Sequence, residues 1–160
     1  MIVRAARATD SGAIWSILEP TIRAGETYPL PRDMSERDAL AYWFGASHSV
    51  FVAEDEGRIV GTYYLRANTT GAGAHVANCG YMTAADAFGR GVARAMCAHS
   101  LNEARARGFR AMQFNLVIST NERAVRLWQA MGFAIVGRLP GAFLHPVHGY
   151  VDALVLFQVL

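Results

Sequence analysis

Two glycines, Gly89 and Gly91, stand in the stretch "AFGRGVARAM" (87–96), which leads into a run with helical spacing. The first turn of a helix presents backbone N–H groups without partners and a partial positive charge. Glycines in front of it let a phosphate group approach the backbone closely. The stretch is therefore compatible with a pyrophosphate site, but by itself it is a weak signal, and a plain helix start is the alternative. It is neither the dinucleotide fingerprint nor a Walker loop, because it lacks a third glycine and a Gly-Lys-Ser/Thr ending.

A second stretch, "TNERAVRLWQAMGF" (120–133), has the signature of a capped helix that ends in a Gly-Phe pair. The pattern is carried by Asn121, Ala124, Leu127, Trp128, Gly132 and Phe133. Together with the glycine-rich stretch and the order of strands, it resembles the GNAT superfamily of N-acetyltransferases. The resemblance covers nearly the whole chain, from "VRAARATD" to "YVDALVLF". The combination of the two stretches is specific, whereas either one alone is not.

The resemblance implies an enzyme that uses acetyl-CoA as co-substrate to acetylate the amine of a small molecule or amino acid. Strand 80–84 would bond to the pantetheine arm, and its divergence from strand 110–118 would form the acceptor cleft. Asn121 would reach the arm near the sulfur, as a catalytic as well as a binding residue. The residues implied at the acetyl-CoA site are Met82, Thr83, Phe88, Gly89, Arg90, Gly91, Val92, Ala93, Arg94, Asn121 and Trp128.

Two positions depart from the family pattern. Phe88 stands where the pattern has Gln or Arg, so one side-chain contact to phosphate is missing, and we expect Arg90 and Arg94 to compensate for it. Trp128 stands where many members have a tyrosine that protonates the leaving thiolate. An indole N–H donates a hydrogen bond but is not a usable acid. Trp128 is therefore not assigned as a general acid.

A narrower resemblance is to the subgroup that acetylates small cyclic amino acids such as azetidine-2-carboxylate and proline analogues. It is carried by "HVANCGYM" and "FNLVISTNERAVRLWQAMGFAIVGRLPG". It implies that Asn78 contacts the acceptor, that the backbone amides of Asn115 and Leu116 assist, and that the Tyr81 amide polarises the acetyl carbonyl. For Asn78 and Asn115, which lie in β-rich runs, a structural hydrogen bond is the alternative.

The general base is left open by the sequence. Strand 75–84 has no carboxylate where many relatives have one, so Glu26, His75 through a water, a water chain alone, and no dedicated base are the alternatives. Cys79 has no neighbouring base signature, which favours direct attack by the amine in a ternary complex over an acyl-enzyme. Two other functions stay open. One is a non-catalytic acyl-CoA-binding module, and the other is an N-acetyltransferase of proteins or peptides.

Local signals predict the elements that hold these residues. A strand at 2–8 precedes a helix that has Asp10 as N-cap and is kinked or broken at Pro20. Ser35 caps a short helix. Gly80 indicates a bulge, or close approach of another backbone, in strand 75–84. The other predicted elements are a hairpin at 49–68, a helix at 90–107, a strand at 110–118, a helix that is capped by Thr120 and continues through Met131, and two closing strands joined by 139–150.

This order of elements predicts a single domain over residues 1–160, with a mixed α/β (α+β) fold. Its sheet would be splayed at the centre and flanked by helices. Strands 75–84 and 110–118 enclose a helix in a right-handed βαβ unit, which makes them parallel. Two roles are open for the link 139–150, a cover over the cleft or a contact between subunits. A homodimer is an expectation from the family.

The composition, 52% hydrophobic and 18% charged residues in a chain of 160, is typical of a globular protein. All 15 basic residues are arginines and they are scattered, so no nucleic-acid partner is expected at a net charge of +2. No apolar run is long enough for a membrane span, and no signal peptide is recognisable, so we expect a cytoplasmic protein. Cys79 and Cys97 are expected to be reduced and buried. His145 and His148 are assigned to a loop, and no metal is expected.

Overall fold

The computed structural model describes all 160 residues. The strands are β1 (Ile2–Ala5), β2 (Ser49–Asp55), β3 (Arg58–Ala67), β4 (Val76–Thr83), β5 (Ala111–Ile118), β6 (Ala134–His145) and β7 (Gly149–Val159). The helices are α1 (Ser11–Ala24), α2 (Glu36–Trp43), α3 (Val92–Ala106) and α4 (Glu122–Ala130). None of these helices combines the length and the apolar character that crossing a bilayer would take.

All seven strands form one sheet, in the order β1-β2-β3-β4-β5-β7-β6. Neighbouring strands are antiparallel except β4 and β5, which are parallel and are joined through α3. This parallel pair has only two register positions, Val76 with Ala111 and Ala77 with Met112. Beyond them β4 and β5 diverge, so the sheet is open at its centre. The predicted fold class, a mixed and centrally splayed sheet with flanking helices, is confirmed.

Helices cover both faces of the sheet because each strand sends alternate side chains to opposite faces. On one face, α3 and α4 contribute Met96, Leu101 and Trp128 to a buried apolar cluster. On the other face, α1 and α2 contribute residues such as Ile14 and Trp43, both fully buried. The opening between β4 and β5 therefore lies between two packed layers that hold its walls in place.

Two features predicted for the first helix can be compared with the structure. Of the kink or break predicted at Pro20, the break does not occur, because α1 continues through that residue. Both Pro20 and Ser16, whose carbonyl loses its helical partner, are exposed, so water can bond to that carbonyl. Asp10 does precede the helix, but its side chain does not cap it. The carboxylate instead accepts the Arg7 N–H at 2.7 Å and pairs with Arg4 at 2.8 Å.

Two further local predictions are wrong. Gly80 pairs with Tyr64 in unbroken register, so β4 has no bulge there. A Cβ at Gly80 would lie 2.6 Å from a ring carbon of Tyr64. Glycine is therefore needed at this position because the Tyr64 side chain, and not another backbone, comes close to it. The N-cap of α4 is Asn121 and not Thr120. Ser35, by contrast, caps α2 as predicted.

The segment 139–150 is part of a β-hairpin rather than a long link. Only 146–148 form the turn between β6 and β7. Pro140 and Gly141 lie where the register with β7 shifts, and this irregularity accommodates a proline without ending the strand. The Nδ1 atom of His145 accepts two backbone N–H groups of the turn, at 3.1 and 3.2 Å. None of the segment lines the cleft described below, so it is not a cover for it.

Candidate active site

A cleft of about 1390 Å³ follows the opening between β4 and β5 and extends to the start of α3. It exceeds the roughly 300–1,000 Å³ of a typical small-ligand pocket, which leaves room for two substrates at once. Every predicted site residue lines it except Arg90 and the alternative base His75. The predicted residues that line it are Glu26, Asn78, Tyr81, Met82, Thr83, Phe88, Gly89, Gly91, Val92, Ala93, Arg94, Asn115, Leu116, Asn121 and Trp128.

One end of the cleft, here called the loop end, is formed by residues 88–94. Gly89 and Gly91 have left-handed backbones, with φ of 82° and 80°. A Cβ at either residue would find no atom within 4 Å, so open space lies in front of both. The first bond of α3 runs from the Ala95 N–H to the Gly91 carbonyl, and no side chain caps the helix. The amides of 92–94 have no acceptor in the chain and are free to bind phosphate oxygens.

Side chains add positive charge to the loop end, though not all those that the sequence suggested. The Arg90 guanidinium lies 2.5 Å from the Asp55 carboxylate and does not line the cleft. Arg94 does line it. The exposed ring of Phe88 lies under the guanidinium of Arg123, 4.9 Å from its centroid. This cation–π contact holds Arg123, which lines the cleft, against Phe88, so the residue that departs from the family pattern supports a cation at the loop end.

The edge of β4 that faces the opening carries backbone groups without a partner strand. Even-numbered residues of β4 bond to β3, in line with the bond from the Ala84 N–H to the Val60 carbonyl just beyond it. Because backbone groups of consecutive strand residues point in opposite directions, Tyr81 and Thr83 face the opening. Met82 faces β3 instead. Met82 can therefore contribute its side chain to the cleft but no backbone hydrogen bond.

Asn121 and Trp128 bring two hydrogen-bond donors to the cleft. The Asn121 Oδ1 atom caps α4 by accepting the Ala124 N–H at 3.3 Å, which leaves its Nδ2 without a partner in the chain. Trp128 is 8% exposed and packs on Tyr81 and Phe114, with ring centroids 5.0 and 5.2 Å apart. Its indole N–H also has no partner in the chain. Neither group can release a proton near neutral pH, so both act as donors and not as acids.

Tyr81 offers the cleft its backbone and not its phenol. The hydroxyl lies 2.7 Å from the Ser100 Oγ, and burial raises the pKa of Tyr81 well above its usual value. The carbonyl accepts the hydroxyl of Tyr28 at 2.9 Å, which fixes the connection after α1 against β4. Burial also raises the pKa of the Cys79 thiol to about 12. A thiol that is protonated near neutral pH is a poor nucleophile, which argues against an acyl-enzyme at Cys79.

The other end of the cleft, here called the acceptor end, is crossed by the side chain of Asn78. Its Nδ2 donates to the Gln113 carbonyl of β5 at 2.9 Å, and its Oδ1 accepts the Nε–H of Arg66 at 3.4 Å. The amide ties β4 to β5 just beyond their last backbone pair. This is the structural hydrogen bond that the sequence left as an alternative, and it also fixes Arg66 at the cleft.

Aromatic rings wall the acceptor end. Tyr42 and Tyr64 both line the cleft, with their hydroxyl oxygens 3.4 Å apart. His48 stacks on Tyr64 with ring centroids 4.2 Å apart. Burial lowers the pKa of His48 and raises that of Tyr64, so both rings are neutral near pH 7. The wall is therefore uncharged and, because its rings pack on one another, constrained in position.

A bulge in β5 occupies the two positions that were predicted to assist acceptor binding. The register with β7 shifts between Phe114 and Val117, so Asn115 and Leu116 have no paired positions in it. Both residues line the cleft. The Asn115 side chain is engaged elsewhere, since its Nδ2 donates to the Asn68 Oδ1 at 2.7 Å. At these two positions, only backbone groups are therefore left to form hydrogen bonds with an acceptor.

The two residues considered as general bases lie in different places. Glu26 is exposed, lines the cleft and has no hydrogen-bond partner in the chain. His75 lies just before β4, at the end where the strands are still paired, and its carbonyl accepts the Arg110 N–H at 2.9 Å. It does not line the cleft. The structure thus brings Glu26 to the site and leaves His75 outside it.

Tyr28, Arg66 and Arg123 are among the cleft residues that the sequence analysis did not single out. Arg123 had a usable signal, because it follows Asn121 by two positions in the exposed first turn of a helix already singled out. Tyr28 had none, since its partner Tyr81 lies 53 positions away. Arg66 ends a predicted strand, and nothing local distinguishes it from a solvated arginine.

Residues 14–133 match the acetyltransferase (GNAT) family, and the chain belongs to that family. The fold, the open sheet and the free amides at the start of α3 are thus those of an acetyltransferase enzyme. A GCN5-related N-acetyltransferase from Kribbella flavida is 41% identical and superposes with a TM-score of 0.94, over 99% of this chain and 97% of that one. N-acetyltransferase aca1 of Schizosaccharomyces pombe is 26% identical over 151 residues, which cover 84% of this chain and 72% of that protein.

A more distant structure shares the fold. The GNAT superfamily phosphinothricin acetyltransferase from Sinorhizobium meliloti, solved in complex with AcCoA, is 22% identical. It superposes with a TM-score of 0.87 over 99% of this chain and 88% of that one.

Proposed function

We propose that the enzyme transfers the acetyl group of acetyl-CoA to the amine of a small molecule or amino acid, with both substrates bound at once. The observation that carries the proposal is the continuity of the cleft. It runs from the free amides at the loop end, along the unpaired edge of β4, to the acceptor end. A long phosphorylated thioester at one end and an amine at the other fit this single path.

The residues present fit acetyl-CoA. Amides of 92–94, flanked by the guanidinium groups of Arg94 and Arg123, suit the pyrophosphate. The edge of β4 at Thr83 and Tyr81 suits the amide groups of the pantetheine arm, which would bond to it as an added strand does. When bound, acetyl-CoA supplies the thioester that the amine attacks.

The chain's own groups then assist the transfer. The Tyr81 N–H faces the opening, where it can donate to the carbonyl oxygen as negative charge develops on it. Asn121 Nδ2 and the Trp128 indole N–H can stabilise the leaving thiolate by hydrogen bonds. Because the Cys79 thiol is protonated, the amine itself is the nucleophile. Glu26, with or without an intervening water, is the candidate to take a proton from the amine.

The enclosure of the acceptor end favours a small acceptor over a protein chain. The Tyr28–Tyr81 hydrogen bond holds the connection after α1 across β4. Two further bonds fix that connection, from Arg23 to the carbonyls of Arg32 and Met34, at 2.6 and 2.9 Å. To bind an extended peptide, the cleft would need this connection to move away from β4.

The test is a thiol-release assay with acetyl-CoA and a panel of amino acids, cyclic amino acids, polyamines, small amines and peptides. We expect thiol release with at least one small amine and an acetylated product by mass spectrometry, above a control without acceptor. Acetyl-CoA at a hundredfold excess over Kd should stabilise the protein by about 2.7 kcal/mol. Absence of any thermal shift would refute acetyl-CoA as co-substrate, and release with peptides only would refute the small acceptor.

A further inference from the structure

Arg66 is the only arginine at the acceptor end of the cleft, and it has no carboxylate partner. Two other arginines that line the cleft are paired, Arg58 with Asp86 at 2.6 Å and Arg126 with Glu122 at 3.0 Å. Arg66 is half-buried and forms no salt bridge. A partly desolvated guanidinium without a counter-charge is energetically unfavourable. The position of Arg66 in the cleft therefore indicates that a bound ligand supplies the anion.

The surroundings of Arg66 fix its direction without neutralising its charge. It lies directly opposite Asn78 in the register of β3 with β4, and both side chains are on the same face of the sheet. Its Nε–H bonds to the Asn78 Oδ1 at 3.4 Å, and Asn78 is itself held by the Gln113 carbonyl. The terminal nitrogens of Arg66 have no hydrogen-bond partner in the chain. They therefore keep the planar pair of donors that matches the two oxygens of a carboxylate.

The charges in the cleft indicate which class of acceptor it binds. Arg66 is an unpaired cation at the acceptor end, and of the two carboxylates that line the cleft, Glu26 has no partner while Asp86 pairs with Arg58. The aromatic wall adds no charge, because burial keeps Tyr64 and the His48 ring that stacks on it neutral near pH 7. A small amine alone would leave Arg66 unsatisfied. An amino acid presents a carboxylate for the guanidinium and an amine for the thioester in one molecule.

We propose that Arg66 binds the carboxylate of the acceptor, so that the substrates of this enzyme are amino acids or other small amino carboxylates. This inference rests on the proposed function and specifies the acceptor for the same cleft. Arg66 thereby acts on specificity and not on the transfer step, and Asn78 acts as the residue that positions it.

The experiment compares each active amino acid, azetidine-2-carboxylate and proline included, with its carboxamide, which keeps the amine and the ring but lacks the charge. We expect the wild-type kcat/KM to be higher for the carboxylate by about 30-fold or more, mostly through KM. Arg66→Met should abolish this preference, and Arg66→Lys should restore part of it, because lysine keeps the charge but not the fork. Arg105→Met, on the exposed surface of α3 outside the cleft, is the matched control and should behave as wild type.

The outcomes separate the two proposals. Equal activity on carboxylates and carboxamides in the wild type, or a preference that survives in Arg66→Met, overturns the role of Arg66 and leaves the acetyltransferase activity intact. Activity confined to amines without a carboxylate does the same. No thiol release with any acceptor, although acetyl-CoA binds, overturns the proposed function and the inference with it. A thermal shift by acetyl-CoA in Arg66→Met equal to that of wild type would show that the variant is folded.

Discussion

Gly91→Ala is the sharpest test of the loop end, because the same helix supplies a matched control. Gly91 begins α3 with φ of 80°, and Gly108, just beyond its C-terminal end, has φ of 82°. A Cβ at either position meets no atom within 4 Å. Alanine therefore introduces backbone strain without a steric clash at both sites. Only Gly91 adjoins the amides assigned to phosphate.

The expected magnitudes follow from these two features. A left-handed alanine costs about 1 to 2 kcal/mol, so both variants should lose similar stability. For a chain of this length, each kcal/mol lowers Tm by roughly 2–4 °C. At Gly91 the strain is relieved by rotating the peptides that lead into 92–94, which turns an amide away from the ligand. Loss of one hydrogen bond to a charged group costs about 1.5–3 kcal/mol, a tenfold or larger rise in Kd.

Thermal unfolding and calorimetric titration with CoA measure the two effects separately. We expect Gly91→Ala and Gly108→Ala to show comparable losses in Tm, and only Gly91→Ala to bind CoA at least tenfold more weakly. If Gly91→Ala lost stability but kept wild-type affinity, the amides at the start of α3 would not be the phosphate site. If Gly108→Ala weakened binding equally, the effect would be global and the assignment would fall.

Four other substitutions test the catalytic groups and one structural charge. Glu26→Gln should lower kcat/KM about tenfold or more, whereas His75→Gln should not, because only Glu26 lines the cleft. Equal rates in the two variants would show that Glu26 is not the general base. Trp128→Phe keeps the ring packing and removes the indole N–H, so we expect about a tenfold lower kcat with unchanged CoA affinity, and an unaltered kcat would exclude a role for the indole. Arg4 holds the pKa of Asp10 below its usual value, so the stabilisation is present above the unfolded pKa of about 3.9 and disappears as the pH falls through the folded pKa. Asp10→Asn should therefore cost roughly 1–3 kcal/mol in urea unfolding near pH 7 and converge with wild type in acid, whereas a constant difference would contradict the ion pair as its cause.

Local features of the site could be predicted because local sequence encodes them. Left-handed backbone at Gly89 and Gly91 needs glycine, and the amides that follow are free in any helix that lacks a side-chain cap. The helical and strand periodicities were enough to predict the βαβ unit that places β4 next to β5. Predictions were wrong or incomplete where a single residue is compatible with several local structures, as at Pro20, which could break a helix but lies within a continuous one at an exposed position.

Contacts between distant parts of the chain could not be predicted in this way. Arg90 and Arg94 look equivalent in the sequence, but Asp55 takes Arg90 away from the cleft. Phe88 looks like a lost phosphate contact, and only the structure shows that it supports Arg123. Each of these outcomes depends on which side chain of another element lies within reach, and periodicity carries no such information.

By itself, the sequence determined the fold class, the family resemblance and the position of the glycine-rich helix start. These follow from hydrophobic periodicity and from backbone conformations that few residue types adopt. Only the tertiary structure decided which groups share the cleft. The register of β3 with β4 sets Arg66 beside Asn78, and the divergence of β4 from β5 leaves the Tyr81 backbone unpaired. Register and divergence result from how helices pack on both faces of the sheet, which is a property of the whole chain and not of any one stretch.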